Sequence, residues 1–209
     1  MIKVVIFIRR RPGMAAAAFR EHWRERHAPL IVKLPGIRRY VQNAPLDEAY
    51  PAGEPPFDGV AESSFDDTQA MKALAKSPEY AAVLADEPNF IDRPNMGSII
   101  TEEQVLKDGS AKGIKRITFV SRPAQTPVDD FFRQWREQGE RIAKNAAILR
   151  YAQCAVRRSI YDSGRTPAFD GAAMSWFADL NSAKSVKEEA FGDADRSKEF
   201  FADERVVLG

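Results

Sequence analysis

At 209 residues, 44% of them apolar, the chain can bury one large core or two small ones. Thirty-one Lys and Arg against thirty Asp and Glu leave a net charge of +1, so no long-range field recruits nucleic acid or anionic lipid. The early apolar run 2–8 is too short for a membrane helix and precedes Arg9, Arg10 and Arg11, the reverse of signal-peptide order, and the single Cys154 excludes an intrachain disulfide or a multi-thiolate metal site. The expectation is a cytoplasmic protein that meets neither nucleic acid nor membrane.

Residues 2–9 are a β-branched run that predicts a strand, and Pro12-Gly13 opens a helix to about His27 that Pro29 and Pro35 close. Residues 36–43 predict a second strand, the Pro-rich stretch 44–56 a surface loop, and 57–65 a third strand. Asp66 or Asp67 caps a helix to about Lys76, Ser77-Pro78 starts another to about Asp86, and 96–102 is a fourth strand. After a polar linker at 107–113, the series recurs as strand 114–122, helix 128–144, strands 147–156 and 169–177, helices from about Asn181, and a last strand at 205–208.

The second series is a copy of the first. Phe19 and Trp23 recur as Phe131 and Trp135, and Phe57-Asp58-Gly59 as Phe169-Asp170-Gly171, all 112 positions apart. Arg39-Tyr40 with Gln42 recurs 111 positions later as Arg150-Tyr151 with Gln153, and the same offset pairs Phe90 and Asp92 with Phe201 and Asp203. The β-α-β-β-α-β order is ferredoxin-like. The expected fold is therefore α+β: two fused ferredoxin-like repeats, 1–106 and 113–209, closing an intrachain barrel with helices outside and a lumen between the sheets. Strand alternation then predicts that Val5 and Phe7, like Ile117 and Phe119, face the helices. The small residues Gly59, Ala61 and Ser63 face them too, and Glu62 turns to the lumen.

Only the first copy carries residues suited to chemistry. His22 and His27 align with Gln134 and Gly139, and Glu62 with Met174. Phe19, Trp23 and His27 form one stripe at four-residue spacing, so His27 extends an apolar face at a helix end. At roughly 100° per residue, His22 points about 140° away from His27, which argues against a shared metal ion, and no metal is expected. His27 suits general acid or base work near neutrality, and Glu62 in an apolar lumen would trade protons at a raised pKa. Tyr40, with Trp23 and Arg38, completes the candidate substrate contacts. There is no Gly-rich phosphate loop, nucleophile elbow or paired CxxC.

Residues 19–30 (Phe-Arg-Glu-His-Trp-Arg-Glu-Arg-His-Ala-Pro-Leu), 34–43 (Leu-Pro-Gly-Ile-Arg-Arg-Tyr-Val-Gln-Asn), 57–62 (Phe-Asp-Gly-Val-Ala-Glu) and 86–92 (Asp-Glu-Pro-Asn-Phe-Ile-Asp) resemble the EthD family of dimeric α+β barrel proteins. The likeness covers residues 1–105 well and the second half more weakly. It implies an apolar small molecule in the lumen and acid–base catalysis by side chains without cofactor. His27 carries over first, then His22 and Tyr40. The leading expectation is a cofactor-independent isomerase, dehydratase or related lyase acting on an aromatic- or polyketide-derived substrate, with Glu62 and Tyr40 orienting it. The rivals are an oxidoreductase or monooxygenase of the same barrel type and a non-catalytic binder of a hydrophobic metabolite. Homodimerisation is left open, since a fused repeat already supplies both halves of a barrel.

Overall fold

The computed structural model describes residues 1–187 and 191–209. Its first compact unit holds residues 1–44, 57–100 and 205–209, and its second 45–56 and 101–204. The first repeat contributes β1 (Ile2–Ile8), α1 (Ala16–His22) continued by a π turn (Trp23–His27) into α2 (Ala28–Ile31), then β2 (Ile37–Pro45), β3 (Gly59–Phe65), α3 (Thr68–Ala73), α4 (Pro78–Asp86) and β4 (Gly97–Lys107). The second contributes β5 (Ile114–Val120), α5 (Val128–Ile142), β6 (Ile148–Val156), α6 (Arg158–Asp162), β7 (Gly171–Phe177), α7 (Leu180–Ser185) and β8 (Lys198–Leu208). The strands hydrogen-bond in the order β1-β3-β2-β8-β5-β7-β6-β4 and close into a barrel, as two fused ferredoxin-like repeats should. In each repeat the third strand is central: β3 lies antiparallel between β1 and β2, and β7 between β5 and β6.

β4 and β8 are eleven residues each, longer than their apolar runs. Their extra length carries Glu103 and Gln104 in one and Lys198 and Glu199 in the other, polar side chains outside the expected strands that sit on partly exposed strand. The helix capping follows local chemistry. Asp67 accepts from the backbone N–H groups of Gln69 and Ala70, both at 2.8 Å, and Ser77 Oγ accepts from Tyr80 N at 3.1 Å ahead of Pro78. Pro29 does not end the first helix as expected. It follows the π turn and lies within α2.

Pairing register corrects the expected faces of β1. Val5 lies opposite Glu62 and Phe7 opposite Val60, so these four share the face turned away from the helices. Ile117 opposite Met174 and Phe119 opposite Ala172 do the same in the second copy. Instead Val4, Ile6 and Ile8, level with Ser63, Ala61 and Gly59, meet the helical layer. From Val4 to Phe7 β1 is apolar on both faces, so alternation there had no polar side to reveal; the polar residue on the face of Val5 and Phe7 is Lys3, which meets Glu62. The small residues of β3 are explained by Trp23: a Cβ on Gly59 would stand 2.6 Å from Trp23 Cζ3, and one on Gly171 2.5 Å from Trp135 Cη2. Gly59→Ala is expected to lower stability by about 1–3 kcal/mol through overpacking, measured by urea denaturation.

The structure also realigns the repeats. Phe90 packs on Phe19 at 5.6 Å, and it is Phe191, not Phe201, that packs on Phe131, at 5.1 Å. Asp92 N donates to Arg9 O, as Asp193 N, not that of Asp203, donates to Ser121 O. The shift arises because Ala73 to Phe90 spans 17 positions and Ser185 to Phe191 only 6, so nothing among the described residues of the second copy corresponds to α4. A smaller difference lies earlier. Trp23 to Tyr40 spans 17 positions and Trp135 to Tyr151 spans 16, and the additional residue is absorbed by the π turn, where Ala28 N–H reaches Trp23 O. α5 runs through without one.

Candidate functional site

The π turn decides how the two histidines stand. With a five-residue hydrogen-bonded repeat, residues five apart lie above one another, so His22 and His27 converge instead of diverging as α-helical geometry had implied. Both meet the carboxylate of Asp86, the last residue of α4: His22 Nε2 at 2.8 Å from Oδ1 and His27 Nδ1 at 2.9 Å from Oδ2. The Phe90 ring stacks on His22 at 4.6 Å and tilts against His27 at 4.8 Å, holding the cluster in register.

Burial works to raise the Asp86 pKa, but hydrogen bonds from His22, His27 and Asn89 outweigh it and hold the carboxyl below its usual range. The ionised carboxylate can only accept, so each histidine donates to it. Burial lowers the His27 pKa below its ordinary 6.5 against the opposing hydrogen bond and charge of Asp86. His27 is therefore a neutral imidazole at neutral pH, with Nδ1–H donated to Asp86 and the lone pair on Nε2. This tautomer suits a general base.

A group whose pKa is lower folded than unfolded supports stability above the unfolded value and loses that contribution as pH falls towards the folded one. The melting temperature is thus expected to fall more steeply below pH 6.5 in the parent than in His27→Gln, measured by thermal denaturation across that window.

His27 opens into a cavity of about 340 Å³ between the sheet and the helices of the first unit. Its wall is mainly aliphatic and aromatic, with polar atoms from Ser63, Tyr40, Tyr80 and Glu87. Trp23 lines it and donates Nε1–H to Tyr40 Oη at 3.1 Å, while Gln42 Nε2 donates to the same oxygen at 3.3 Å and to Trp23 O at 2.9 Å. Burial pushes the Tyr40 hydroxyl up to about 12, so it meets the cavity as a protonated donor.

Two expected members of the site lie elsewhere. Arg38 is exposed and pairs with Asp66 at 2.5 Å, because a register shift between Ile37 and Arg39 breaks the alternation that would have set it beside Tyr40. Glu62 is not part of the wall of this cavity. It sits on the other face of β3, where Lys3 Nζ and Asn43 Nδ2 each donate to it at 2.9 Å. His22 is not part of the cavity wall; it meets the Asp86 carboxylate that His27 also meets.

Two residues that bear on the site were missed by reasoning from residue type: Asp86 and Glu87. Their signal was present in the quoted run 86–92 and in a charge at the wrong end of a helix, since the dipole disfavours an acid in the last turn. Glu87 lines the cavity and is 7% exposed, and burial raises its pKa in spite of the Arg93 guanidinium. The second unit has a cavity beside Trp135 as well, but Gln138, not Gly139, stands where His27 stands beside Trp23. There Arg116 takes the place of Val4 and donates to the carbonyls of Ala183 and Val186. Among the described residues no three His, Cys, Asp or Glu side chains are placed to hold a metal ion, and no helix is long and apolar enough to cross a membrane.

Residues 11–94 match the EthD domain model. An EthD family protein of Bacillus halodurans C-125 is 28% identical over 50% of this chain and 99% of its own, with a TM-score of 0.43. An anthrone oxidase-like protein superimposes with a TM-score of 0.65 at 10% identity, over 99% of this chain and 92% of its own. A proposed monooxygenase of Lactobacillus acidophilus NCFM gives 0.58 at 7% identity, over 99% and 95%. These last two likenesses concern the fold. No curated protein matches the chain.

Proposed function

We propose, since residues 11–94 match the EthD domain model, that the first repeat is an acid–base catalyst in which His27 removes a proton from an apolar, aromatic- or polyketide-derived small molecule held in the cavity. The observation that carries the reading is the pairing of His27 Nδ1 with Asp86 at 2.9 Å on the wall of a largely apolar cavity of about 340 Å³. The carboxylate fixes the tautomer and stabilises the imidazolium that forms when Nε2 takes the proton, the orienting role an acid plays towards a catalytic histidine. The apolar wall keeps water from competing for the base. Tyr40 and Ser63 supply hydroxyls that can stabilise the enolate or phenolate left behind. Returning the proton from Nε2 to a different carbon completes an isomerisation, and giving it to a departing hydroxyl, which leaves as water, completes a dehydration. These steps use this chain's own side chains.

The fold likeness to the anthrone oxidase-like and monooxygenase proteins favours a second outcome for the same carbanion, in which dioxygen attacks the carbon once the proton has left. Anthrone, a tricyclic carbon acid, serves as a probe for both. Under nitrogen in D2O, exchange of its methylene protons is followed by NMR, and in air oxygen uptake is followed with an electrode. Faster exchange with the parent than with His27→Gln supports the base. Uptake of one O2 per anthrone, giving anthraquinone and water, assigns the oxygenase outcome. Equal exchange rates for parent and variant would sink the proposal.

A further inference from the structure

We propose that Glu87 is the specificity-determining residue of this cavity: its carboxylate accepts a hydrogen bond from a substrate hydroxyl, so that the site takes hydroxylated aromatic molecules over O-methylated or unsubstituted ones of similar size. This rests on reading the cavity as the substrate site. Glu87 follows Asp86 directly, and the two acids divide the space. Asp86 is used by the histidines, whereas Glu87 forms part of the cavity wall. Its main chain is fixed, since Glu87 O accepts from Phe90 N at 3.1 Å and Ile91 N at 2.8 Å.

The Glu87 side chain is more than nine-tenths buried, yet Oε2 has no hydrogen-bond partner among the described residues. Arg93 Nε stands 3.2 Å from that oxygen, but outside hydrogen-bonding geometry and on a half-exposed side chain. The pair supplies charge compensation and leaves the acceptor unsatisfied. An unsatisfied buried acceptor carries a desolvation cost that a donor on the ligand relieves, and a methoxy or hydrogen in the same place does not. Burial of the same carboxyl also raises its pKa, which fits a group kept from water.

The test is equilibrium dialysis of the full chain with 1-naphthol, 1-methoxynaphthalene and naphthalene. The parent is expected to bind 1-naphthol at least about 10-fold more tightly than 1-methoxynaphthalene. Glu87→Gln, which keeps a weaker neutral acceptor, should narrow that ratio, and Glu87→Leu should bring it to about one with the other two ligands bound at least as well as before. General loosening of the fold would weaken all three together and leave the ratio alone. Persistence of the preference in Glu87→Leu overturns the proposal, as does its absence in the parent, failure of all three to bind included. His27→Gln should keep the preference, so a failed proton-exchange assay with intact selectivity would dismiss the base and leave Glu87 standing.

Discussion

His27→Gln is expected to reduce catalysed proton exchange by roughly 10²–10⁴-fold, the range associated with loss of a positioned general base. Glutamine stands at the corresponding place beside Trp135 in the second copy, so the side chain is compatible with such a position and the loss should be chemical, with KM little changed. Asp86→Asn should lower the rate less. The amide offers one acceptor where His22 and His27 each present an N–H, and the tautomer of His27 is no longer fixed. The two variants separate further by pH. A general base works when unprotonated, so the parent rate should rise with pH and level off below pH 6.5, because burial holds the His27 pKa under its ordinary value. Asp86 is the group that opposes this depression, so in Asp86→Asn the rising limb should move to lower pH while the plateau falls. Steady-state kinetics from pH 4.5 to 8 read both effects. A parent rate that climbs as pH drops, or an unchanged limb in Asp86→Asn, would remove His27 from the role of base.

How much of this was legible in the residues follows from what kind of signal each feature leaves. The duplication was plain, because aromatic pairs such as Phe19 and Trp23 recur at fixed distance for packing reasons common to both copies. The faces of β1 were not, since Val4 to Phe7 is apolar on both sides and only pairing with β3 decides between them. The π turn has no composition of its own. Its one trace is the drop in repeat offset from 112 at Trp23 to 111 at Tyr40, which reads as a trivial gap until the helix is seen to widen there. That widening is what turns two apparently divergent histidines onto one carboxylate. Asp86 was hidden by the same logic that found His27: residue type singled out the histidines, while their partner lay 59 positions beyond His27, on a helix that nothing among the described residues of the second copy matches. Fold was thus carried by repetition and periodicity, and the site by one irregular turn and by α4.

The other large effect expected is on stability, at Glu62. With side chains of Lys3 and Glu62 only 9% and 5% exposed, their ion pair is buried. Glu62→Met, which introduces the residue of the second copy at Met174, should cost about 3–5 kcal/mol in urea denaturation, because the ammonium of Lys3 loses the carboxylate it donates to at 2.9 Å in a poorly solvated place. Lys3→Met with Glu62→Met should recover most of that loss, since two apolar side chains of similar volume replace a pair whose desolvation nearly cancels its attraction. The second copy shows how the fold tolerates a methionine there while retaining the lysine. Lys115, the counterpart of Lys3, takes its carboxylate from Glu204 on β8 at 2.5 Å, and its Nζ lies 4.7 Å from the Trp176 ring centroid. Each repeat therefore buries a lysine on its first strand and sets a carboxylate against it, Glu62 of β3 in one and Glu204 of β8 in the other. On this account Glu62 is held in place by Lys3, on the face of the sheet that His27 does not share, and Glu62→Gln should move the denaturation midpoint while leaving proton exchange in the cavity near the parent rate. A double variant as unstable as the single one, or exchange lost in Glu62→Gln, would return Glu62 to the catalytic role that its place in the sequence suggested.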